Sequence, residues 1–283
     1  MGMVDFELAV QDTHGLQVAA RLGVDRVELC TGLALGGLTP SWGLIEAALE
    51  TPGIPPVHVL IRPRPGGFDY DRSEVRLITR DIRKIAQHGV AGVVVGGVRA
   101  GRVDTDLIER VVEAAGELPI TFHRAFDTLT DPEQAVETLI RRGVWRILAS
   151  ATDLDRLAKA VHAGAGRIEI MAGGGVRADL VGQIVRAGVD AIHASAKQTI
   201  SDPVGIALGS SAPAGDHGRE TTDERQAAQI MAALRLAQTS QTAPGPGATP
   251  PRIAPDSPFT HVPGRVAPPP AAPGRPGGSG RPA

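Results

Sequence analysis

Short apolar runs alternate with amphipathic segments from the start of the chain to about Ser195. The runs near 4–10, 25–30, 56–62, 91–97, 118–123, 145–150, 167–172 and 189–194 are rich in Val, Ile and Leu and too short for helices. They predict eight strands. Helical periodicity falls between them, near 13–22, 40–50, 73–88, 104–115, 131–142, 153–162 and 177–187. The clearest case is 73–88, where Val75, Ile78, Ile82, Ile85 and Ala86 share one face and Arg or Asp residues occupy the other. Asp131-Pro132-Glu133-Gln134 carries helix-start signals: an Asp cap, Pro at the first helical position and Gln three residues after the cap.

One pattern repeats. Gly23-Val-Asp-Arg-Val27, Gly89-Val-Ala-Gly-Val93, Gly143-Val-Trp-Arg-Ile147 and Gly188-Val-Asp-Ala-Ile192 each follow an amphipathic segment and open an apolar run. Glycine after a helix supplies a left-handed cap, and β-branched residues then begin a strand. These hooks precede strands two, four, six and eight, as a repeated (βα)2 unit requires. The predicted fold is an α/β single (β/α)8 TIM-like barrel, with a doubly wound sheet as the alternative.

Past Ser195 the pattern loosens. Residues 197–218 read as a long loop, and Thr222-Asp-Glu-Arg caps an amphipathic eighth helix to about Ala237, with Ala228, Ile230, Met231, Leu234 and Leu236 as core contacts. From 239 to 283 the chain is rich in Pro, Gly, Ala, Ser and Arg. Such a composition buries too little apolar surface to offset its ordering entropy, so residues 1–238 are expected to form the barrel and 239–283 a disordered tail.

Composition narrows the function classes. A formal charge of −2 over 283 residues gives no basic face for nucleic acid. No apolar run reaches the roughly 18 residues needed to span a bilayer, and no secretion signal is read at the N-terminus. Cys30 is the single cysteine, which excludes an intrachain disulfide and fits a reducing compartment. The expectation is a cytoplasmic protein without membrane or nucleic-acid partners, free to form a homo-oligomer.

In a barrel the C-terminal ends of the strands meet at one mouth, where chemistry is placed. Here they carry Glu28 and Cys30, Arg62 and Arg64, Gly96-Gly97, His123 and Arg124, Ser150, Met171 with Gly173-Gly174-Gly175, and His193 with Ser195. Buried charges need partners. An anion would be held by Arg62, Arg64, the amides of Gly173, Gly174 and Gly175, and Ser195, while Glu28 and His123 exchange protons. Plainer readings stand beside these: a hydrogen-bonded core histidine at 123, a small buried hydrophobe at Cys30, and a tight turn at the glycines.

Val27-Glu-Leu-Cys30 with Gly36-Gly-Leu-Thr-Pro-Ser41, and Arg62-Pro-Arg64 with Gly67-Phe68, Tyr70 and Glu74, resemble the CutC copper-homeostasis family. Thr121-Phe-His-Arg-Ala-Phe-Asp127, Ile170-Met-Ala-Gly-Gly-Gly-Val176 and His193-Ala-Ser195 complete the resemblance over about Asp5 to Ser195. It implies a TIM-like barrel, a cytoplasmic location and a role in copper homeostasis through bound copper, with no established reaction. Members of the family often carry cysteines on the first strand, where this chain has Glu7-Leu-Ala-Val10. Copper(I) prefers thiolate and thioether ligands, so the metal set implied is Cys30 with Met171 and His193, or two copies of Cys30 bridging two chains. The alternative is an enzyme or binding protein for an anionic small molecule, phosphorylated or not.

Overall fold

The computed structural model describes residues 3–201 and 218–242. Eight parallel strands close into a barrel: β1 Asp5–Val10, β2 Arg26–Leu29, β3 Val57–Leu60, β4 Gly92–Val95, β5 Ile120–Phe122, β6 Arg146–Ser150, β7 Glu169–Gly173 and β8 Ala191–Ala194. β1 pairs with both β2 and β8, which closes the ring. The helices are α1 Thr13–Leu22, α2 Trp42–Glu50, α3 Arg72–Ile85, α4 Thr105–Ala115, α5 Pro132–Arg141, α6 Leu154–Gly164, α7 Ala178–Arg186 and α8 Glu224–Thr242. Closure excludes the doubly wound sheet.

Local chemistry accounts for the ends of these elements. Asp131 accepts from the Gln134 amide with Pro132 at the first helical position, as the sequence predicts. Asp71 and Glu74 form a reciprocal capping box on α3. All four hook glycines have positive φ, between 61° and 86°, which only glycine adopts without strain.

Alternate strand residues divide between two environments. Phe6, Leu8, Val27, Leu29, Val59, Val93, Phe122, Ile147, Ile170 and Ile192 belong to the large core between strands and helices. Inside the barrel are two small apolar clusters instead: Cys30, Leu60 and Val94, and Leu148, Met171 and Ala191. The other alternate positions hold Glu7, Arg26, Glu28, His58, Thr121, His123 and Arg146, all buried. Barrel interiors are usually filled by bulky apolar side chains. Much of this one is polar.

Three expectations need correction. Lys197–Ser201 and Gly218–Thr222 are not loop but an antiparallel pair; Gln198, Thr199, Thr221 and Thr222 lie in its ladder, a polar ribbon that apolar patterning overlooks. The α8 cap is Asp223, which accepts from the Arg225 and Gln226 amides, because Thr222 is held in the strand. α8 continues to Thr242, past the boundary expected at 238; the rest of the Pro-rich segment lies outside the described residues. No helix among the described residues is long and apolar enough to cross a membrane.

Candidate functional site

The strand ends and the loops after them enclose a cavity of about 370 Å³. Glu28, Arg62, His123 and His193 reach it from strands or their ends, Arg124, Gly174, Gly175, Val176 and Ser195 from the turns and loops that follow, and Lys197 from the start of the polar ribbon.

Strand register builds its floor. Glu7 on β1 lies opposite His193 on β8 and opposite Arg26 on β2. The fully buried Glu7 carboxylate accepts from Arg26 Nε at 2.7 Å and lies 2.8 Å from His193 Nδ1. Burial opposes ionisation of Glu7, yet the His193 hydrogen bond and the Arg26 charge hold its carboxyl well below the usual range. For His193 burial works against protonation, but the carboxylates of Glu28 and Glu7 raise its pKa. Glu28 has the opposite character from Glu7. Desolvation pushes it up to about 7, opposed by His193 and reinforced by Glu7, and its Oε2 has no hydrogen-bond partner among the described residues.

His123 ends β5 and caps the 3-10 turn Arg124–Thr128, accepting from the Ala125 amide through Nδ1 at 3.1 Å. One tight turn thus separates β5 from α5. The Nδ1 bond leaves the ring proton on Nε2, which has no partner among the described residues. Burial, then the Arg62 charge, lowers the His123 pKa to about 3. The ring is a neutral hydrogen-bond donor at neutral pH, which does not suit the proton exchange expected of His123 together with Glu28. Space for this ring depends on Gly96, where a Cβ would come within 2.6 Å of His123 Nδ1.

The two expected anion-binding arginines are otherwise engaged. Arg62 lines the cavity, but it donates to the carbonyls of Leu35, Gly37 and Gly66, each at 2.8 Å. It ties the loop after β2 to the loop after β3. Arg64 does not line the cavity; it pairs with Glu74, donates to Gly67 and Asp69 carbonyls and lies over Tyr70. The loop after β3 turns at Gly66, with φ of 87°, and brings its carbonyls to both arginines. Gly173 belongs to β7, and its carbonyl accepts from Ala151. Gly174, Gly175 and Ser195 do line the cavity.

Arg124 supplies the cation that those arginines do not. Its Nε donates to Asp127 Oδ2 at 2.8 Å, while Asp127 Oδ1 accepts from the Ser150 amide. The guanidinium lies against Gly174, where a Cβ would fall 2.4 Å from Nη1. The Gly174, Gly175 and Val176 amides make no hydrogen bond to another described residue. Lys197 also lines the cavity, paired with Glu220 at 2.6 Å.

The expected metal set is not assembled. Cys30 packs with Leu60, Val94 and Leu33, and Met171 with Leu148 and Ala191. Neither lines the cavity, and only His193 of the three does. Among the described residues one group offers three metal-capable side chains: Glu7, Glu28 and His193, with ligand atoms within 4.8 Å of one another. Arg26, Arg146 and His58 also escaped sequence reading as site neighbours. Their signal was a charged or imidazole side chain inside an otherwise apolar strand.

Residues 4–198 match the model of the CutC family. The chain belongs to the CutC family. A CutC from Sinorhizobium medicae is 37% identical over 248 residues, covering 83% of this chain and 97% of the relative. A CutC from Vibrio cholerae is 42% identical over 203 residues, 68% of this chain and 80% of the relative. The solved CutC of Streptococcus agalactiae, named for copper homeostasis, superposes with a TM-score of 0.65 at 32% identity, covering 68% of this chain and 99% of that one. The CutC match spans every strand of the barrel, including those that build the cavity.

Proposed function

We propose that this CutC-family barrel binds an anionic small molecule at its mouth. The observation that carries the reading is the convergence of Arg124, held by Asp127, with three consecutive loop amides on the cavity. Gly174, Gly175 and Val176 line the cavity beside that guanidinium with amides that bond no other described residue, and free amides beside a guanidinium suit an anion. The floor, with Glu28, His123 and His193, supplies groups able to donate, accept or exchange protons with the ligand.

Copper is the ligand that the name of the Streptococcus agalactiae relative suggests. The donors of this chain do not fit copper(I). Burial, then the Glu28 charge, pushes the Cys30 thiol well above its usual range, so it stays protonated in an apolar cluster. The Glu7, Glu28 and His193 group offers oxygen and nitrogen to an ion that favours sulfur. Glu7 has both oxygens committed already, one to Arg26 and one to His193. The trio is better read as a hydrogen-bond relay.

Calorimetric titration of the full chain with inorganic phosphate, at constant ionic strength with chloride as control, tests the reading. Saturable phosphate binding is expected. Phosphate and chloride responses that cannot be told apart would remove it.

A further inference from the structure

Glu28, His123 and Arg62 line the cavity and each keep one unmet hydrogen-bonding atom, and those of Glu28 and His123 are of opposite kinds. Glu28 Oε2 is an acceptor and His123 Nε2 is a donor, on residues only 6% and 5% exposed. Leaving such atoms unpaired costs on the order of 1–3 kcal/mol each. Native structures usually reserve that cost for groups that meet a ligand.

Each group is fixed in its role by a neighbour. The Ala125 amide occupies His123 Nδ1, so Nε2 carries the hydrogen. The ring also packs on Phe68, with centroids 4.9 Å apart. His193, oriented by Glu7, has a nitrogen within 4.8 Å of a Glu28 carboxylate oxygen. Burial holds Glu28 near a pKa of 7, where the carboxylate and the acid are both populated at neutral pH.

We infer that the anionic ligand is a phosphorylated carbonyl compound, and that Glu28 and His123 interconvert its carbonyl and enediolate forms. This rests on the anion-site reading above. With the phosphate on the Arg124 guanidinium and the Gly174–Val176 amides, the carbonyl end occupies the same cavity as Glu28 and His123. The Glu28 carboxylate takes a proton from the carbon beside the carbonyl. The electron pair of that C–H bond becomes the new carbon–carbon double bond, and the carbonyl π pair moves onto oxygen. His123 Nε2–H donates a hydrogen bond to that oxygen and remains neutral. Return of a proton from Glu28 to the carbon it left restores the carbonyl and completes an exchange cycle that balances without oxidant, metal or cofactor. His193 and Glu7 act as positioning residues.

The test uses the full chain and two probes, inorganic phosphate and the enediolate analogue phosphoglycolohydroxamate. Wild type should bind the analogue about a hundredfold more tightly than phosphate. In Glu28→Gln and His123→Gln the analogue should lose most of that advantage while phosphate affinity is kept. Loss of carbon-bound hydrogen from dihydroxyacetone phosphate in heavy water, followed by proton NMR, should slow about a hundredfold in Glu28→Gln. Glu28→Asp serves as the second variant if the amide does not fold. Failure of both probes to bind overturns the anion reading and this inference together. Phosphate binding with no preference for the analogue overturns the inference alone, as does a preference unaffected by either substitution.

Discussion

Glu7 on β1 faces His193 on β8 across one rung of the barrel, with Glu7 Oε1 2.8 Å from His193 Nδ1. The other oxygen of the same carboxylate holds Arg26. One buried anion thus orients a site histidine and neutralises an interior arginine. Glu7→Gln should destabilise the barrel by about 3–5 kcal/mol, because the Arg26 charge would lose its main partner. Asp5, 3.5 Å from Arg26, recovers part of this. Urea unfolding of the two proteins measures the difference; a change under 1 kcal/mol, within the range of ordinary surface substitutions, would mean that the interior relaxes around the missing charge.

Arg62 is a structural tie in this account. Its guanidinium satisfies three carbonyls from two loops. Arg62→Met should cost on the order of 3 kcal/mol, since buried acceptors lose charge-assisted bonds. Hydrogen exchange should rise at Thr31 and Leu38, whose amides bond each other's carbonyls in the affected loop. Unchanged protection there would place the tie elsewhere.

All eight strands were legible from the alternation of apolar runs, because parallel strands buried on both faces read as continuous hydrophobic segments; closure rests on the pairing of β1 with β8, which periodicity does not encode. The hook glycines were legible because a left-handed cap has one preferred residue. Site chemistry was half legible. Glu28, His123, His193 and Ser195 could be placed at the mouth by strand position alone. What Arg62, Arg64 and Arg124 do depends on loop turns that bring carbonyls and carboxylates to them, and sequence spacing does not encode those turns. Glu7 was hidden for a different reason. Its role arises from register against β2 and β8, which are distant in sequence.

Acid should unfold this barrel through its buried imidazoles. Burial lowers His58 from 6.5 to about 4 and His123 to about 3. In that window the unfolded chain binds more protons than the folded one, so stability falls as pH drops below about 6.5. Each histidine contributes a slope of about 1.4 kcal/mol per pH unit. Glu28, raised to about 7, acts in the opposite sense and loses stability as pH rises through the range from its ordinary value. His58→Asn should therefore flatten the acid limb, and Glu28→Gln should steepen it. Parallel curves for wild type and both variants between pH 4 and pH 6.5 would contradict these assignments.

Cys30 is inert in this account. Its thiol is buried and held protonated, so reaction with a thiol reagent at neutral pH should be slow until the chain unfolds. Cys30→Ala should leave copper(I) affinity, measured anaerobically against a competing chelator, the same as wild type. A large loss on substitution would restore a thiolate copper site and require Cys30 to leave its apolar cluster.

The central claim is that the anion is held by Arg124 and the loop after β7, and not by the arginines of the Arg62-Pro63-Arg64 motif. Phosphate affinity of Arg124→Gln and Arg64→Gln, measured calorimetrically beside wild type, tests it most directly. Arg124→Gln should weaken binding by about tenfold or more, the loss of one charge-assisted contact. Arg64→Gln should leave the affinity of the folded protein unchanged, since that side chain is spent on Glu74 and nearby carbonyls. Equal losses in the two variants, or loss in Arg64→Gln alone, would contradict the site described here.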